Sequence, residues 1–189
     1  MEILDNYKKN LINSINSLDD EKINELVDKI LQTRDSDGTV FVAGNGGSAA
    51  TASHFVCDLQ KTVLGKNPTD VEFKRIKVMS LVDSIPSITA WSNDVDYKVI
   101  FSEQLKSYGK NGDLLILISG SGNSENIIEA IHAAKELEIF TYGLLGFEGG
   151  IAKDMLDDYI IVNIESYGVI EDAHSIIMHM ITEVIKTRL

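Results

Sequence analysis

Residues 44–58, GNGGSAATASHFVCD, join a glycine-rich turn to a helix-forming run that carries a histidine and an aspartate. His54 and Asp58 are four residues apart, so on a helix they share one face and can both reach one ion or one substrate carbon. Polar pairs at this spacing are usually plain surface hydrogen bonds, but the position directly after the turn favours chemistry. The segment therefore predicts either a phosphate cradle with reactive groups attached or a tight strand-to-helix connection.

A second loop of small residues, SGSGNS at 119–124, follows an uninterrupted apolar run and precedes a predicted helix. Serine hydroxyls and backbone N–H groups at a helix N-terminus can converge on one phosphate, helped by the helix dipole. A flexible loop is the alternative, since serine and glycine are also common turn residues. Neither loop has the Gly-Lys-Ser/Thr of a triphosphate-binding loop or the spacing of a dinucleotide fingerprint. The two loops predict a site for a phosphate monoester.

Predicted helices and strands alternate along the chain. Helical spacing of apolar residues over 1–32, broken at 17–20, predicts an N-terminal helical hairpin. Strands are predicted at 39–44, 76–82, 113–119, 140–146 and 159–164. Helices are predicted at 48–59, 86–91, 97–108, 124–137, 151–156 and 169–188. The expected fold class is α/β, a doubly wound five-stranded parallel sheet with helices on both faces, in which ligands bind beyond the carboxyl ends of the strands.

Length and composition exclude several classes of protein. A chain of 189 residues fits one domain, with residues 1–36 as the hairpin and 37–189 as the α/β core. The formal net charge of −12 opposes direct binding to nucleic acid or to an anionic membrane surface. Cys57 is the single cysteine, and the sequence has no apolar run near 18 residues and no signal-peptide pattern. We therefore expect a cytoplasmic protein.

Five motifs carry a resemblance to a known family. They are GNGGSAATASHF, SND at 92–94, ISGSGNSENI, GFEGG and IEDAHSIIMH. Their order and spacing resemble those of the sugar isomerase (SIS) domain family and are most similar to those of its phosphoheptose isomerases, over essentially the whole chain. The resemblance implies a single SIS domain in a homotetramer, the hairpin serving oligomer packing. It also implies conversion of sedoheptulose 7-phosphate to D-glycero-D-manno-heptose 7-phosphate for heptose-containing glycans.

The resemblance also implies site residues, motif by motif. The substrate-contacting positions are Asn45, Gly46, Gly47, Ser48, Asp58, Asn93, Asp94 and Glu171. The phosphate-holding positions are Ser119, Gly120, Ser121 and Ser124. The ligands of a Zn²⁺ ion would be His54, Asp58, Glu171 and His179. In the reaction expected of an isomerase, Asp58 is the base that removes the proton beside the carbonyl, His179 is the acid, and Zn²⁺ polarises the carbonyl. The alternative for the metal is a structural or regulatory role.

The predicted ligand set raises a geometric question. Glu171 and His179 are eight residues apart, which on one helix separates them by about 80° around the axis and ~12 Å along it. Either both side chains reach across two turns, or the site combines residues of neighbouring subunits. His174, on the same predicted helix, is expected in the core or at an interface.

Two positions depart from the family pattern, which has Glu where this chain has Asp58 and Gln where it has Glu171. The shorter aspartate withdraws a base by about 1.5 Å, and the glutamate adds a negative charge. The carboxylate in place of a neutral amide at Glu171 favours metal binding by the His, Asp, Glu, His set, and the two changes together leave open a different ketose phosphate as substrate. The alternative function is a non-catalytic phosphosugar-binding regulator or a partner of the replication initiator DnaA. The polar segment 61–74 is either a flap over the site or a surface loop.

Overall fold

The protein is built on one parallel β-sheet. The computed structural model describes residues 2–65, 69 and 73–189. Its strands are β1 Thr39–Gly44, β2 Lys77–Ser80, β3 Leu114–Ser119, β4 Phe140–Gly146 and β5 Asp158–Val162. Within the described residues they form a five-stranded sheet in the order β2-β1-β3-β4-β5, with every pairing parallel. The predicted sheet is confirmed.

Helices cover both faces of this sheet. They are α1 Glu2–Asn16, α2 Asp20–Asp35, α3 Gly47–Gln60, α4 Ile85–Asp94, α5 Ser102–Tyr108, α6 Glu125–Glu136 and α7 Tyr167–Arg188. The side chains of β3 alternate between the faces: Leu114 and Ile116 join a core cluster with α2, α3 and α7, whereas Leu115 and Leu117 join one with α5 and α6. All residues of β3 are buried, as expected for a strand covered on both sides.

The N-terminal hairpin is confirmed. Asp19 ends the turn between α1 and α2 by accepting a hydrogen bond from the N–H of Glu21, at 2.9 Å, which satisfies an otherwise unbonded donor of the first helical turn. Helix α2 buries apolar residues in the core, but Ser14 is the only residue that α1 buries among those described. The assignment of residues 1–36 to oligomer packing and 37–189 to the core stays a prediction.

Three predicted elements differ in extent. The predicted helix over 97–108 divides into a 3-10 helix, Tyr97–Val99, and α5. Asp96 caps the 3-10 helix by accepting from the N–H of Lys98. The predicted strand 76–82 is shorter because β2 lies at the sheet edge and pairs over Lys77–Ser80. The predicted short helix 151–156 is the 3-10 helix Ile151–Asp154.

Segment 61–74 is described only in part. It begins as a 3-10 helix, Thr62–Leu64, that follows α3 directly. Residues 66–68 and 70–72 lie outside the described residues, so the choice between flap and surface loop stays open. No helix of the described chain is both long and apolar enough to span a membrane.

The helix that carries His54 and Asp58 is anchored by Phe55, which is fully buried. We predict that Phe55→Ala lowers the free energy of unfolding by about 3–5 kcal/mol, because it removes apolar contacts and leaves a cavity. The matched control is Tyr108→Ala at a side chain that is 60% exposed, for which a change within about 0.5 kcal/mol is expected. Urea denaturation of both variants measures the difference, and equal effects would contradict the assignment of Phe55 to the core.

Candidate active site

The two glycine- and serine-rich loops lie side by side. They follow β1 and β3, which are neighbours in the sheet although β2 comes between them in the chain. From β1 the chain crosses to β2 on one side of β1, and it then returns to β3 on the opposite side of β1. The two loops therefore flank the crevice at the point where the strand order reverses. They share a cavity of about 170 Å³. We call it the anion pocket, and its lining residues are Asn45, Ser48, Ile118, Ser119, Gly120, Ser121, Ser124, Tyr167 and Glu171.

The first loop begins α3 without a side-chain cap among the described residues. Gly46 has a φ of +56°, a left-handed conformation that suits glycine. Its carbonyl oxygen accepts from the N–H groups of Ala49 and Ala50. The N–H groups of Gly47 and Ser48 precede the first hydrogen-bonded turn, so they are the donors that a helix N-terminus offers to an anion.

The second loop is held in shape by its own serines. The Ser119 hydroxyl oxygen accepts from the N–H of Gly122 at 3.0 Å, and that of Ser121 accepts from the N–H of Asn123 at 3.2 Å. The GFEGG motif at 146–150 braces this loop, since the N–H of Gly146 donates to the carbonyl oxygen of Gly120 at 3.0 Å. Ser124 precedes α6 and makes no capping hydrogen bond within the described chain, which leaves its hydroxyl available to a ligand.

An amide pair joins the two loops. Asn45 and Asn126 each donate their side-chain N–H to the side-chain oxygen of the other, both at 2.8 Å, and the Tyr97 hydroxyl donates to Asn45 at 3.1 Å. Asn126 is buried at the start of α6. Sequence reasoning singled out Asn45 but neither partner. A carboxamide two residues after the SGSGNS loop was the available signal for Asn126. Tyr97 had no such signal, because only the fold brings it to Asn45.

Helix α7 closes the anion pocket from the side. A Cβ on Gly47 would lie 2.5 Å from Oε2 of Glu171, so the glutamate carboxylate lies directly against the first loop. A Cβ on Gly120 would lie 3.2 Å from the Tyr167 ring, which packs against the second loop. The Glu171 carboxylate therefore brings negative charge to a pocket otherwise lined by hydroxyls, amides and backbone donors.

Three further side chains, those of His54, Asp58 and His179, meet further along α3 and α7 from the pocket. Oδ2 of Asp58 lies 3.8 Å from Nε2 of His54 and 3.7 Å from Nε2 of His179. The two imidazole rings are in edge-to-face contact with centroids 5.0 Å apart, and each is about half exposed, whereas Asp58 is buried. We call these residues the His-Asp-His cluster.

The donor set of this cluster fits a metal ion. Two imidazole nitrogens and a carboxylate oxygen lie within 4.8 Å of one another. Ligand atoms around a tetrahedral Zn²⁺ are about 3.4 Å apart, given bonds near 2.1 Å, so small side-chain movements bring these three into range. Three protein ligands are also the usual number in catalytic zinc sites, where a fourth position takes water or substrate.

Helices α3 and α7 run side by side in the same direction, so the pocket and the cluster lie one after the other along them. Gly47 meets Glu171 at the top, the hydroxyls of Thr51 and Ser175 lie 3.4 Å apart one turn lower, and Asp58 meets His179 at the bottom. The eight residues from Glu171 to His179 correspond to ~12 Å along the helix. We call this line of contacts between α3 and α7 the seam. The anion pocket lies at one end of the seam and the His-Asp-His cluster lies at the other.

Some predicted residues are not brought together. Glu171 lies in the anion pocket and is not part of the His-Asp-His cluster found among the described residues. Asn93 and Asp94 lie exposed at the end of α4, where Asn93 donates to Asp94 at 2.8 Å, and neither lines the pocket within the described structure. The metal and substrate roles of these residues stay predictions.

His174 is in the core, as expected from the sequence. It is 1% exposed, and its Nε2 donates to the carbonyl oxygen of Leu145 at 3.1 Å, while its Nδ1 has no partner among the described residues. Burial lowers the pKa of His174 to about 4, so the ring is neutral at pH 7 and is separate from the site.

The comparisons with known proteins place this geometry in a family. Residues 6–146 match the SIS domain. The chain is 37% identical to the probable phosphoheptose isomerase of Thermoplasma acidophilum, over 89% of this chain and 90% of the relative. It is 33% identical to the phosphoheptose isomerase of Helicobacter pylori, over 95% and 90%. The solved structure of the Neisseria gonorrhoeae phosphoheptose isomerase superposes with a TM-score of 0.88 at 28% identity, covering 98% of both chains. The resemblance inferred from the five motifs is confirmed, and the chain belongs to the phosphoheptose isomerase family of SIS-domain proteins.

Proposed function

We propose that this protein is an aldose-ketose isomerase that converts sedoheptulose 7-phosphate to D-glycero-D-manno-heptose 7-phosphate in the synthesis of heptose-containing glycans. The observation that carries this proposal is the placement of the anion pocket and the His-Asp-His cluster along one seam between α3 and α7. The phosphoheptose isomerases that resemble the chain over most of its length support the choice of a heptose.

The length of the seam supports a long sugar phosphate. An extended seven-carbon sugar reaches about 10 Å from C1 to phosphorus, at bond lengths near 1.5 Å. The pocket and the cluster are ~12 Å apart along α7, and helical side chains lean towards the N-terminus, which brings the imidazoles nearer the pocket. A triose phosphate is about half as long. With its phosphate in the pocket, its carbonyl would not approach the cluster.

The roles of the residues follow from this placement. The backbone N–H groups and serine hydroxyls of the anion pocket bind the phosphate and so fix the far end of the substrate. Asp58 takes the proton from C1, and His179 donates a proton to the carbonyl oxygen on C2, which gives the enediol. Asp58 then returns its proton to C2 while His179 takes the proton of the C1 hydroxyl, so that the carbonyl ends at C1 and both residues regain their starting protonation. His54, Asp58 and His179 would hold Zn²⁺, whose contribution when bound is electrophilic polarisation of the carbonyl oxygen.

The first functional prediction concerns His179, whose imidazole is about half exposed. Purified protein with Zn²⁺ interconverts sedoheptulose 7-phosphate and the aldose, and His179→Ala lowers kcat/KM by about 10²–10⁴-fold, as expected for loss of a general acid. The matched control is His132→Ala at an exposed histidine of α6, which should leave kcat/KM unchanged. A coupled assay for the aldose product measures both variants.

The same assay separates the isomerase from the phosphosugar-binding regulator. A regulator would bind the sugar phosphate without turnover, and its melting temperature would rise with ligand in the parent and in His179→Ala alike. Absence of turnover with or without Zn²⁺ would overturn the proposed reaction even if the ligand stabilises the fold.

The position of Glu171 generates a second prediction. Its carboxylate lines the pocket proposed to bind the phosphate, so Glu171→Gln removes a repulsion and should lower the KM for the phosphosugar. The expected change is roughly threefold to tenfold, because two like charges in contact in water repel by about 1 kcal/mol. Competition by inorganic phosphate should strengthen in parallel. Glu165→Gln, which changes the charge equally outside the pocket, is the control. A higher KM would show that the carboxylate binds substrate hydroxyls instead.

We also propose a homotetrameric, cytoplasmic protein, with no direct binding of nucleic acid or membrane. The support for assembly is the apolar surface of α1, where Ile3 is 83% exposed and Leu4 is 65% exposed. Such side chains on a helix that is anchored mainly through α7 favour contact with a second copy.

Assembly through α1 can be tested by measuring the molecular mass of the protein in solution. Ile3→Asp combined with Leu4→Asp should shift the protein to a smaller species in light scattering after size exclusion, because buried carboxylates would destabilise the contact. The control, Asn6→Asp with Asn10→Asp, adds the same charge to exposed polar positions of the same helix. An unchanged mass for the first variant would contradict an interface at α1.

A further inference from the structure

The two oxygens of the Asp58 carboxylate have different surroundings. Oδ1 accepts a hydrogen bond from the Thr62 hydroxyl at 2.7 Å. Oδ2 faces Nε2 of His179 at 3.7 Å and Nε2 of His54 at 3.8 Å. The side chain of Asp58 is only 10% exposed, so water has little access to either oxygen. The carboxylate therefore presents one oxygen to the cluster and gives the other to threonine.

The threonine is itself held in place. It begins the 3-10 helix Thr62–Leu64 directly after α3, where the N–H of Lys61 donates to the carbonyl oxygen of Cys57 at 3.0 Å. Val63 and Leu64 are both buried in the core cluster that includes α3 and α7. The threonine hydroxyl thus approaches Asp58 from a turn whose position is set by core packing.

We propose that Thr62 is a positioning residue that makes Asp58 a one-oxygen ligand in the His-Asp-His cluster. By occupying Oδ1, the threonine stops the carboxylate from rotating to offer both oxygens, since the terminal torsion of an aspartate is otherwise broad. An ion held by the cluster would then have three protein ligand atoms, one each from His54, Asp58 and His179, the number typical of catalytic zinc sites. This inference rests on the metal centre in the proposed function.

The hydrogen bond also suits the length of aspartate. A glutamate at position 58 carries its carboxylate about 1.5 Å further from the backbone, past a hydroxyl that lies 2.7 Å from the present oxygen. The Thr62 contact and the shorter acid are therefore a matched pair in this chain. The effect of removing the Thr62 hydroxyl should be lost when Asp58 is replaced by glutamate.

The test measures zinc binding to the full-length, metal-free protein by calorimetry. Thr62→Val keeps the shape of the side chain and removes the donor, and it should raise the Kd for Zn²⁺ about 10–100-fold, the usual loss when a partner of a metal ligand is removed. Thr62→Ser keeps the donor and should restore the affinity. Thr187→Val, at an exposed threonine near the end of α7, is the matched control. Co²⁺ absorption spectra report the coordination number independently of activity.

The outcomes separate this inference from the proposed function. An unchanged Kd in Thr62→Val would overturn the role of Thr62 while leaving the isomerase proposal intact, and so would an equal loss in Thr62→Val and Thr62→Ser. An equal loss from Thr62→Val in the wild-type and Asp58→Glu backgrounds would show that threonine acts through another group, which overturns it as well. Failure of the wild type to bind Zn²⁺ would overturn both the metal centre and this inference. Zinc binding that depends on Thr62 in a protein without turnover would support the positioning role and overturn only the reaction.

Discussion

The parallel pairing of β1 with β3 is the constraint on which the site depends. Five residue pairs, from Val40 with Leu114 to Gly44 with Ile118, bring the carboxyl ends of these strands together. A Cβ on Gly44 would lie 2.8 Å from the carbonyl oxygen of Ile118, so only glycine allows the strands to remain this close at the point where the loops begin. Two anion loops that are about 75 residues apart in sequence thereby become two walls of one pocket.

The packing of α7 against α3 provides the second half of the arrangement. Both helices belong to the same buried cluster, which fixes their separation and register. Helix α7 passes close enough to α3 at Gly47 that its glutamate meets the loop, and further along it brings His179 to Asp58. One helix pair therefore supplies both the phosphate end and the reactive end of the site. The distance between these two ends is set by how α3 and α7 pack in the core.

The two carboxylates of the seam have opposite surroundings. Asp58 is buried between a hydroxyl donor and two imidazoles, an environment suited to a charged ligand. Glu171 lies beside backbone donors that also attract phosphate. The net charge of −12 does not prevent anion binding, because exposed charges beyond about 8 Å are largely screened in physiological salt while the N–H groups act at contact. A single carboxylate at the pocket therefore affects the ligand more than the charge of the whole chain.

The sequence by itself determined the features that depend on local interactions. Alternating apolar strands, the capped hairpin and the two small-residue loops at helix N-termini were all predictable, since each depends on residues close together in the chain. The helical spacing of His54 and Asp58 likewise predicted a shared face, and the apolar surroundings of His174 predicted its burial.

Only the tertiary structure decided which distant residues meet. It placed β1 beside β3, joined Asn45 to Asn126, and brought Glu171 to the wall of the anion pocket. The first two outcomes follow from strand pairing in the sheet. The third follows from the register of α7 along α3, which is set by the summed packing of many buried side chains. The spacing of apolar residues in the sequence shows that α7 has an apolar face. It does not show which turn of α3 each residue of that face contacts, because that depends on how the whole core packs.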